Sequence, residues 1–192
     1  MTRRLLIVPI LHTSAELGSE GQQNRAEFVA RHGDLLWAER EARIEHYWLN
    51  VRDAVLALPI GLDHVKVYQD SLPDGLGTDR LVADMAEHGN SPNHRVLQLL
   101  KSRGASIIGT ESLSLLLEEY QAVKEGRASP DLLRRSLEAR DRYIASRIGE
   151  TLAEGEIGIL FIGAAHDVAR FCDPSIKVAV LASGARTTRE NP

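Results

Sequence analysis

The chain has little cysteine, few aromatic residues and no long apolar run. Its single cysteine, Cys172, excludes a disulfide within the chain, so we expect a reducing compartment and a cytoplasmic location. No stretch approaches the ~20 consecutive apolar residues that a transmembrane helix needs, which predicts a protein without membrane partners. The short apolar run after Arg4 is not followed by a clean small-residue cleavage site, so it does not predict a signal peptide.

The chain also has only a small excess of negative over positive charge. The formal net charge of the 192 residues is −4 and the isoelectric point is near 6.0, which argues against a nucleic-acid partner, since such proteins carry a basic face. The chain lacks the glycine patterns of nucleotide-binding loops and the G-x-S-x-G pattern of a nucleophile elbow. With 43% hydrophobic and 26% charged residues, it has the composition of a globular protein with a real core.

Apolar runs typical of buried strands alternate with segments of helical periodicity along the chain. The predicted strands cover residues 4–11, 64–69, 105–109, 156–162 and 176–181. The predicted helices cover residues 20–57, 78–88, 92–103, 111–125 and 130–153. This alternation predicts a single α/β domain over residues 1–192, with a mostly parallel central sheet of about five strands, helices on both of its faces and three layers.

The longest helical segment, residues 20–57, exceeds the length of an ordinary crossover. Two interpretations are open: a projecting helical insertion, or two helices that Gly33 and Asp34 separate. The aromatic residues of this segment are more typical of a core, but they would also suit the contact surface of a homodimer.

Two histidines come directly after apolar runs at opposite ends of the chain. His12 follows residues 5–11, and His166 follows residues 159–165. Because ligands of parallel sheets gather outside the carboxyl ends of the strands, we expect the two imidazoles to meet at one edge of the sheet. Two neutral imidazoles would bind a divalent metal such as manganese, cobalt or zinc; the alternative is two unrelated histidines with ordinary hydrogen bonds.

Carboxylates follow several of the same strands. Asp70 follows the second predicted strand, Glu111 follows the third, and Glu16 lies four residues after His12. Such a mixture of nitrogen and oxygen ligands suits a metal site with a spare carboxylate as general base. A structural alternative exists for each, because Asp70 is typical of a turn and Glu111 of the first turn of a helix.

The long predicted helix at 130–153 carries three further candidates, Arg140, Asp141 and Tyr143. An arginine that points into a cleft would hold a carboxylate or stabilise a developing oxyanion. The alternative is a solvated basic face, since other arginines surround it on this helix. We expect Asp141 and Tyr143, together with Asp70, to contact the substrate.

Two segments in the last third of the chain, Glu138–Ala145 and Gly158–His166, form a recognisable pattern. It resembles the C-terminal half of the TraB/GumN/Tiki superfamily, which also takes in erythromycin-esterase and ChaN-like haem-binding proteins. That superfamily has an Arg-Asn or similar pair on the helix before its late strand. Arg140 matches the arginine, and Asp141 stands in place of the asparagine.

The same superfamily has a G-x-x-H motif after an early strand and another after a late strand. Gly163 and His166 match the late motif fully. His12 matches the early motif at its histidine, with Pro9 in place of the glycine. The resemblance implies an α/β fold with the two histidines at a shared site, which in Tiki-like members supports metal-dependent peptide hydrolysis. Other members act on esters or bind haem.

We therefore predict a metal-dependent hydrolase of an amide or ester bond, acting on a small molecule or a peptide. In this hypothesis the metal ligands are His12 and His166, with Glu16, Asp70 or Glu111 completing the shell. The catalytic residues are Glu16, Glu111 and Arg140, and the substrate-binding residues are Asp70, Asp141 and Tyr143. The alternatives are a haem- or small-ligand-binding protein of the same fold, and a catalytically silent interaction domain that dimerises through residues 20–57.

Overall fold

The computed structural model describes residues 2–14, 16–75, 77–88 and 91–181. The strands are, in chain order, Arg3–Pro9 (β1), Val65–Pro73 (β2), Ser106–Glu111 (β3), Ile157–Ile162 (β4) and Ile176–Val180 (β5). The helices are Gly18–His32 (α1), Asp34–Leu56 (α2), Thr78–His88 (α3), Pro92–Ser102 (α4), Leu113–Lys124 (α5) and Pro130–Thr151 (α6). A 3₁₀ turn at Leu62–His64 precedes β2, and another at Val168–Phe171 follows β4.

The strands form one parallel sheet in the order β3-β2-β4-β1-β5, which confirms the predicted α/β fold class. β4 lies at the centre of the sheet and is buried along its whole length. Its Ile159 pairs with Leu6 of β1 on one side and with Val67 of β2 on the other. Because all the strands run in the same direction, their carboxyl ends share one edge of the sheet.

Helices cover both faces of the sheet, because alternate residues of a strand point to opposite sides. Ile159 and Phe161 of β4 pack with α2 and α4, whereas Leu160 and Ile162 pack with α6. The buried residues of the α2 and α4 layer are Ile44, Trp48, Val51, Val55, Val96, Leu97 and Leu100. The corresponding residues of α6 are Ile144, Ala145 and Ile148. These two layers enclose the sheet, which confirms the three-layer arrangement.

The long helical segment near the N-terminus is divided into α1 and α2, which meet at Gly33. Gly33 has a φ of 85°, a conformation that glycine adopts without a steric penalty. α2 carries a buried stripe toward the sheet, and α1 packs against α2. Trp37 and Trp48 are buried within the chain, at 8% and 3% exposure. A homodimer formed through this segment stays a prediction.

The connections that leave β2 and β4 lie on opposite faces of the sheet. The chain leaves β2 through α3 and α4, whose Val82 and Val96 pack in the same layer as α2. It leaves β4 through the second 3₁₀ turn, whose Val168 packs with α6 on the other face. The two connections therefore diverge, and open α/β sheets bind ligands at such a point, outside the carboxyl ends of the two strands.

β2 is irregular where it reaches this edge. Its register against β3 shifts between Gln69 and Pro73. Ser71 has a φ of 61°, the only positive φ of a non-glycine residue in the described ranges. Bulges of this kind re-aim side chains. A Cβ on Gly109 of β3 would lie 2.2 Å from the carbonyl oxygen of Pro73, so glycine is needed there to let β2 approach after the irregularity.

We expect Gly109→Ala to lower the free energy of unfolding by about 1–3 kcal/mol, because the added methyl meets backbone atoms of Pro73 and Asp74 that cannot turn aside. Gly149→Ala on α6 is the matched control. Nothing lies within 4 Å of its added Cβ, and alanine is favoured over glycine inside a helix by about 1 kcal/mol. Urea denaturation measures both effects, and an equal change in the two variants would contradict the close approach at Gly109.

Candidate functional site

Five charged or ionisable side chains meet at the carboxyl edge, where β2 and β4 diverge. One lies in the irregular part of β2, one ends β3, one follows β4, and two come from α6. They are linked to one another by hydrogen bonds and ion pairs. We refer to them as the carboxyl-edge cluster: Asp70, Glu111, Arg140, Asp141 and His166.

The guanidinium of Arg140 joins the carboxylates of β2 and β3. Its Nε donates to both carboxylate oxygens of Glu111, at 3.1 and 3.3 Å. Its Nη2 donates to Glu111 Oε1 at 2.6 Å and to Asp70 Oδ1 at 3.0 Å, and its Nη1 lies 3.6 Å from Glu119 Oε1 on α5. Glu111 is fully buried and the side chain of Arg140 is 9% exposed, so this is a desolvated ion pair held by several donors.

Glu111 and Arg140 each shift the pKa of the other. Burial raises the pKa of Glu111 above its ordinary value, against the opposing hydrogen bond and charge of Arg140. Burial also acts to lower the pKa of Arg140, but hydrogen bonding to Glu111 and the surrounding carboxylates outweigh it, so that the pKa of Arg140 is raised. Arg140 is therefore a fixed positive charge at the centre of an otherwise acidic cluster.

His166 lies between two carboxylates. Its Nδ1 is 2.5 Å from Asp141 Oδ1, and its Nε2 is 3.6 Å from Asp70 Oδ2. The second oxygen of Asp141 accepts the backbone N–H of Asp167 at 2.9 Å, and Asp70 Oδ2 accepts the N–H of Gly163 at 3.1 Å. The side chain of His166 is only 5% exposed. The ring is therefore fixed, and it presents Nε2 to the carboxylate of Asp70.

Three members of the cluster carry atoms of the kinds that ligate metals, and these atoms lie close together. One atom each from Asp70, Glu111 and His166 lies within 4.8 Å of the other two, and no other group of three such residues occurs in the part of the chain that the structure describes. One imidazole nitrogen and two carboxylate oxygens form a donor set that suits zinc, cobalt or manganese. The cluster contains three carboxylates and one guanidinium: Asp70 and Glu111 bind the guanidinium, and Asp141 contacts His166.

The other residue predicted on α6, Tyr143, borders the cluster without joining it. Its hydroxyl donates to Asp74 Oδ2 at 2.8 Å, and burial followed by this hydrogen bond raises the pKa of Tyr143. The same carboxylate oxygen lies 3.3 Å from Nε of Arg147. The N–H of Asp74 donates to the carbonyl of Glu111 at 2.9 Å, which ties this second group to the end of β3. Contact of Tyr143 and Asp141 with a substrate stays a prediction.

His12 and Glu16 lie at the same edge but in a different group of side chains. β1 and β4 are neighbours in the sheet, and Pro9 pairs with Ile162, so His12 and His166 do follow adjacent strand ends. His12 is half exposed, and its Nδ1 lies 3.9 Å from Glu16 Oε1. Neither His12 nor Glu16 is in the group of three ligands. That His12 and His166 hold one ion stays a prediction.

Glu16 connects the loop after β1 to the start of α4. Its Oε2 accepts the N–H of Thr13 at 2.6 Å, and its Oε1 accepts the hydroxyl of Ser91 at 2.5 Å. Ser91 is the N-cap of α4 and accepts the N–H of His94. Burial lowers the pKa of this histidine, and the charge of Glu16 opposes that shift. The observed contacts of Glu16 are thus those of a residue that fixes a loop on a helix terminus.

Sequence reasoning missed two carboxylates, Glu119 and Asp74. Glu119 lies on α5 and approaches Arg140, and Asp74 accepts from Tyr143. An Asp-Gly pair such as Asp74-Gly75 is typical of a turn, and Glu119 lies in an ordinary helical pattern, so neither carried a local signal of its position. Their partners are 21 and 69 residues away in the sequence.

The chain matches no protein-family model, no curated protein and no solved structure. The resemblance to the TraB/GumN/Tiki superfamily, which rests on Gly163, His166, Arg140 and His12, therefore stays a prediction. In the described ranges, no helix combines the length and the apolar composition that crossing a bilayer would require.

We expect Arg140→Met to lower the free energy of unfolding by about 3–5 kcal/mol, because it leaves the carboxylate of Glu111 buried without its partner. Arg134→Met is the matched control on the same helix, since Arg134 pairs with Asp131 in an exposed position worth less than about 1 kcal/mol. Urea denaturation in the presence of a chelator measures both variants. A similar loss of unfolding free energy in the two variants would show that the buried pair stabilises the carboxyl edge no more than an exposed pair would.

Proposed function

We propose that the protein is a metal-dependent hydrolase of amide or ester bonds and that the carboxyl-edge cluster is its site. The proposed ligands of the ion are Asp70, Glu111 and His166. The observation that carries the proposal is the convergence of their three ligand atoms within 4.8 Å, at the point where the connections of β2 and β4 diverge. His12, a ligand in the hypothesis from sequence, lies outside this set.

The arrangement around His166 supports a cation at this position. A carboxylate only accepts hydrogen bonds, so the short contact with Asp141 calls for a hydrogen on Nδ1. In a neutral ring Nε2 then carries a lone pair, which faces the carboxylate of Asp70 at 3.6 Å. Two acceptors that face each other repel unless a proton or a metal ion lies between them. The excess of carboxylates over guanidinium groups in the cluster favours the same conclusion.

The members of the cluster differ in their exposure to solvent and in the contacts that they make. Asp70 is 14% exposed and His166 5%, whereas Glu111 is fully buried. Asp70 is therefore the most exposed of the three proposed ligands. Arg140 has Nε and Nη2 engaged with Glu111 and Asp70, so in this proposal it holds the two carboxylates in place instead of stabilising an oxyanion. When bound, the ion would supply Lewis-acid polarisation of the scissile carbonyl.

The first experiment is elemental analysis of the purified protein, followed by calorimetric titration with manganese, cobalt and zinc. We expect one ion per chain in the wild type, loss of that ion in His166→Ala, and its retention in His12→Ala. Loss in both variants would support the two-histidine site instead. Failure of the wild type to bind any of the three ions would contradict the proposed metal site. A Soret band in the absorption spectrum of the purified protein would support the haem-binding alternative.

The second experiment measures hydrolysis of chromogenic esters and of peptide amides before and after chelation. We expect activity that the chelator removes and the metal restores, and a loss of at least about 100-fold in His166→Ala, because the polarising ion contributes several kcal/mol to the transition state. His64→Ala is the matched control, since His64 is exposed and lies before β2, at the opposite edge of the sheet. Activity that persists without metal, or is lost equally in both variants, would contradict the assignment.

A further inference from the structure

A feature of the cluster that its metal-binding chemistry does not explain is the burial and double engagement of Asp141. Its side chain is 5% exposed, and it is not one of the three converging ligands. We infer that Asp141 is a positioning residue: it holds His166 in the tautomer with hydrogen on Nδ1 and fixes the backbone that follows β4. The consequence for metal affinity rests on the proposed function, whereas the tautomer does not.

Both oxygens of Asp141 are engaged with consecutive residues of one loop. Oδ1 lies 2.5 Å from Nδ1 of His166, and Oδ2 accepts the backbone N–H of Asp167 at 2.9 Å. The first contact fixes the ring and the second fixes the main chain beside it. A residue with this geometry orients another side chain, and it has little freedom to turn toward a substrate.

The start of the same loop is held by another member of the cluster. The N–H of Gly163 donates to Asp70 Oδ2, and the N–H of His166 donates to the carbonyl of Gly163 at 3.2 Å. A Cβ on Gly163 would lie 3.2 Å from that Asp70 oxygen, so glycine keeps the approach open. Asp70 and Asp141 thus hold the two ends of the turn that carries His166, and the direction of Nε2 is set by both.

The tautomer gives the inference a readout that does not depend on activity. Metal ligands of the imidazole type are commonly oriented by a carboxylate on the other ring nitrogen, and loss of that partner typically lowers metal affinity by about 10- to 100-fold. A residue that only stabilised the fold would lower stability without changing which ring nitrogen carries the hydrogen. The two roles therefore differ in what NMR of the histidine ring reports.

The first measurement uses the wild-type chain without metal. Long-range proton–nitrogen correlation NMR of the neutral His166 ring, assigned by comparison with His166→Ala, reports the tautomer directly. We expect hydrogen on Nδ1. A neutral ring with hydrogen on Nε2 would overturn the inference, and because no variant of Asp141 is needed, the result does not depend on whether such a variant folds.

The second measurement compares Asp141→Asn with Asp167→Asn, a matched loss of an exposed carboxylate next to His166. An asparagine at 141 offers one acceptor and one donor, so it cannot accept from both Nδ1 and the N–H of Asp167. We expect an Nε2–H population to appear in Asp141→Asn and its affinity for zinc or manganese to fall by about 10- to 100-fold, with neither change in Asp167→Asn.

If the His166 ring of the Asp141→Asn variant keeps the wild-type tautomer, the inference is overturned. An equal loss of affinity in the two variants would overturn it as well. If the wild-type protein binds no metal, the proposed function fails, but the tautomers of the wild type and of Asp141→Asn still decide the role of Asp141.

Discussion

The buried ion pair between Arg140 and Glu111 is the interaction on which the carboxyl edge depends. A fully buried carboxylate is costly, and a guanidinium that donates to both of its oxygens offsets that cost. Because the same guanidinium also binds Asp70, it fixes the ends of β2 and β3 relative to α6. Asp141, the next residue on the helix, holds the chain after β4. Two consecutive residues of one helix therefore position the ends of three strands.

The order of the strands decides which side chains join this arrangement. β4 lies between β2 and β1, so the turn after β4 has Asp70 on one side and the loop of His12 on the other. Neighbouring strands are about 4.8 Å apart, which places the ends of β1 and β2 roughly 10 Å from each other. Asp70 comes to His166 because the irregular end of β2 re-aims it toward β4. His12 instead lies beside Glu16, which is bonded to the start of α4.

Local patterns predicted much of the fold, because hydrophobic periodicity and helix capping act over a few residues. Ser91 precedes a proline and caps α4, and Ser129 caps α6 in the same way. The predicted second strand ends at residue 69, whereas β2 continues to Pro73, because pairing with β3 resumes after the register shift. Glu111 and Arg140 were each predicted as catalytic residues, which stays a prediction, and the structure adds that they bind one another. A pairing between residues 29 apart leaves no local periodic signal.

The sequence by itself determined an α/β protein whose strands are apolar runs, and it determined that polar residues follow those runs. In a parallel sheet this is enough to bring His12, His166, Asp70 and Glu111 to one edge. Only the tertiary structure decided which of them meet, since strand order, the bulge in β2 and the placement of α6 are set by long-range packing. Through that packing, His12 and His166 lie in different groups of side chains, His12 beside Glu16 and His166 beside Asp141, whose carboxylate contacts Nδ1 of the ring. The physical reason is that each buried charge needs partners within hydrogen-bond distance, and those partners come from distant parts of the chain.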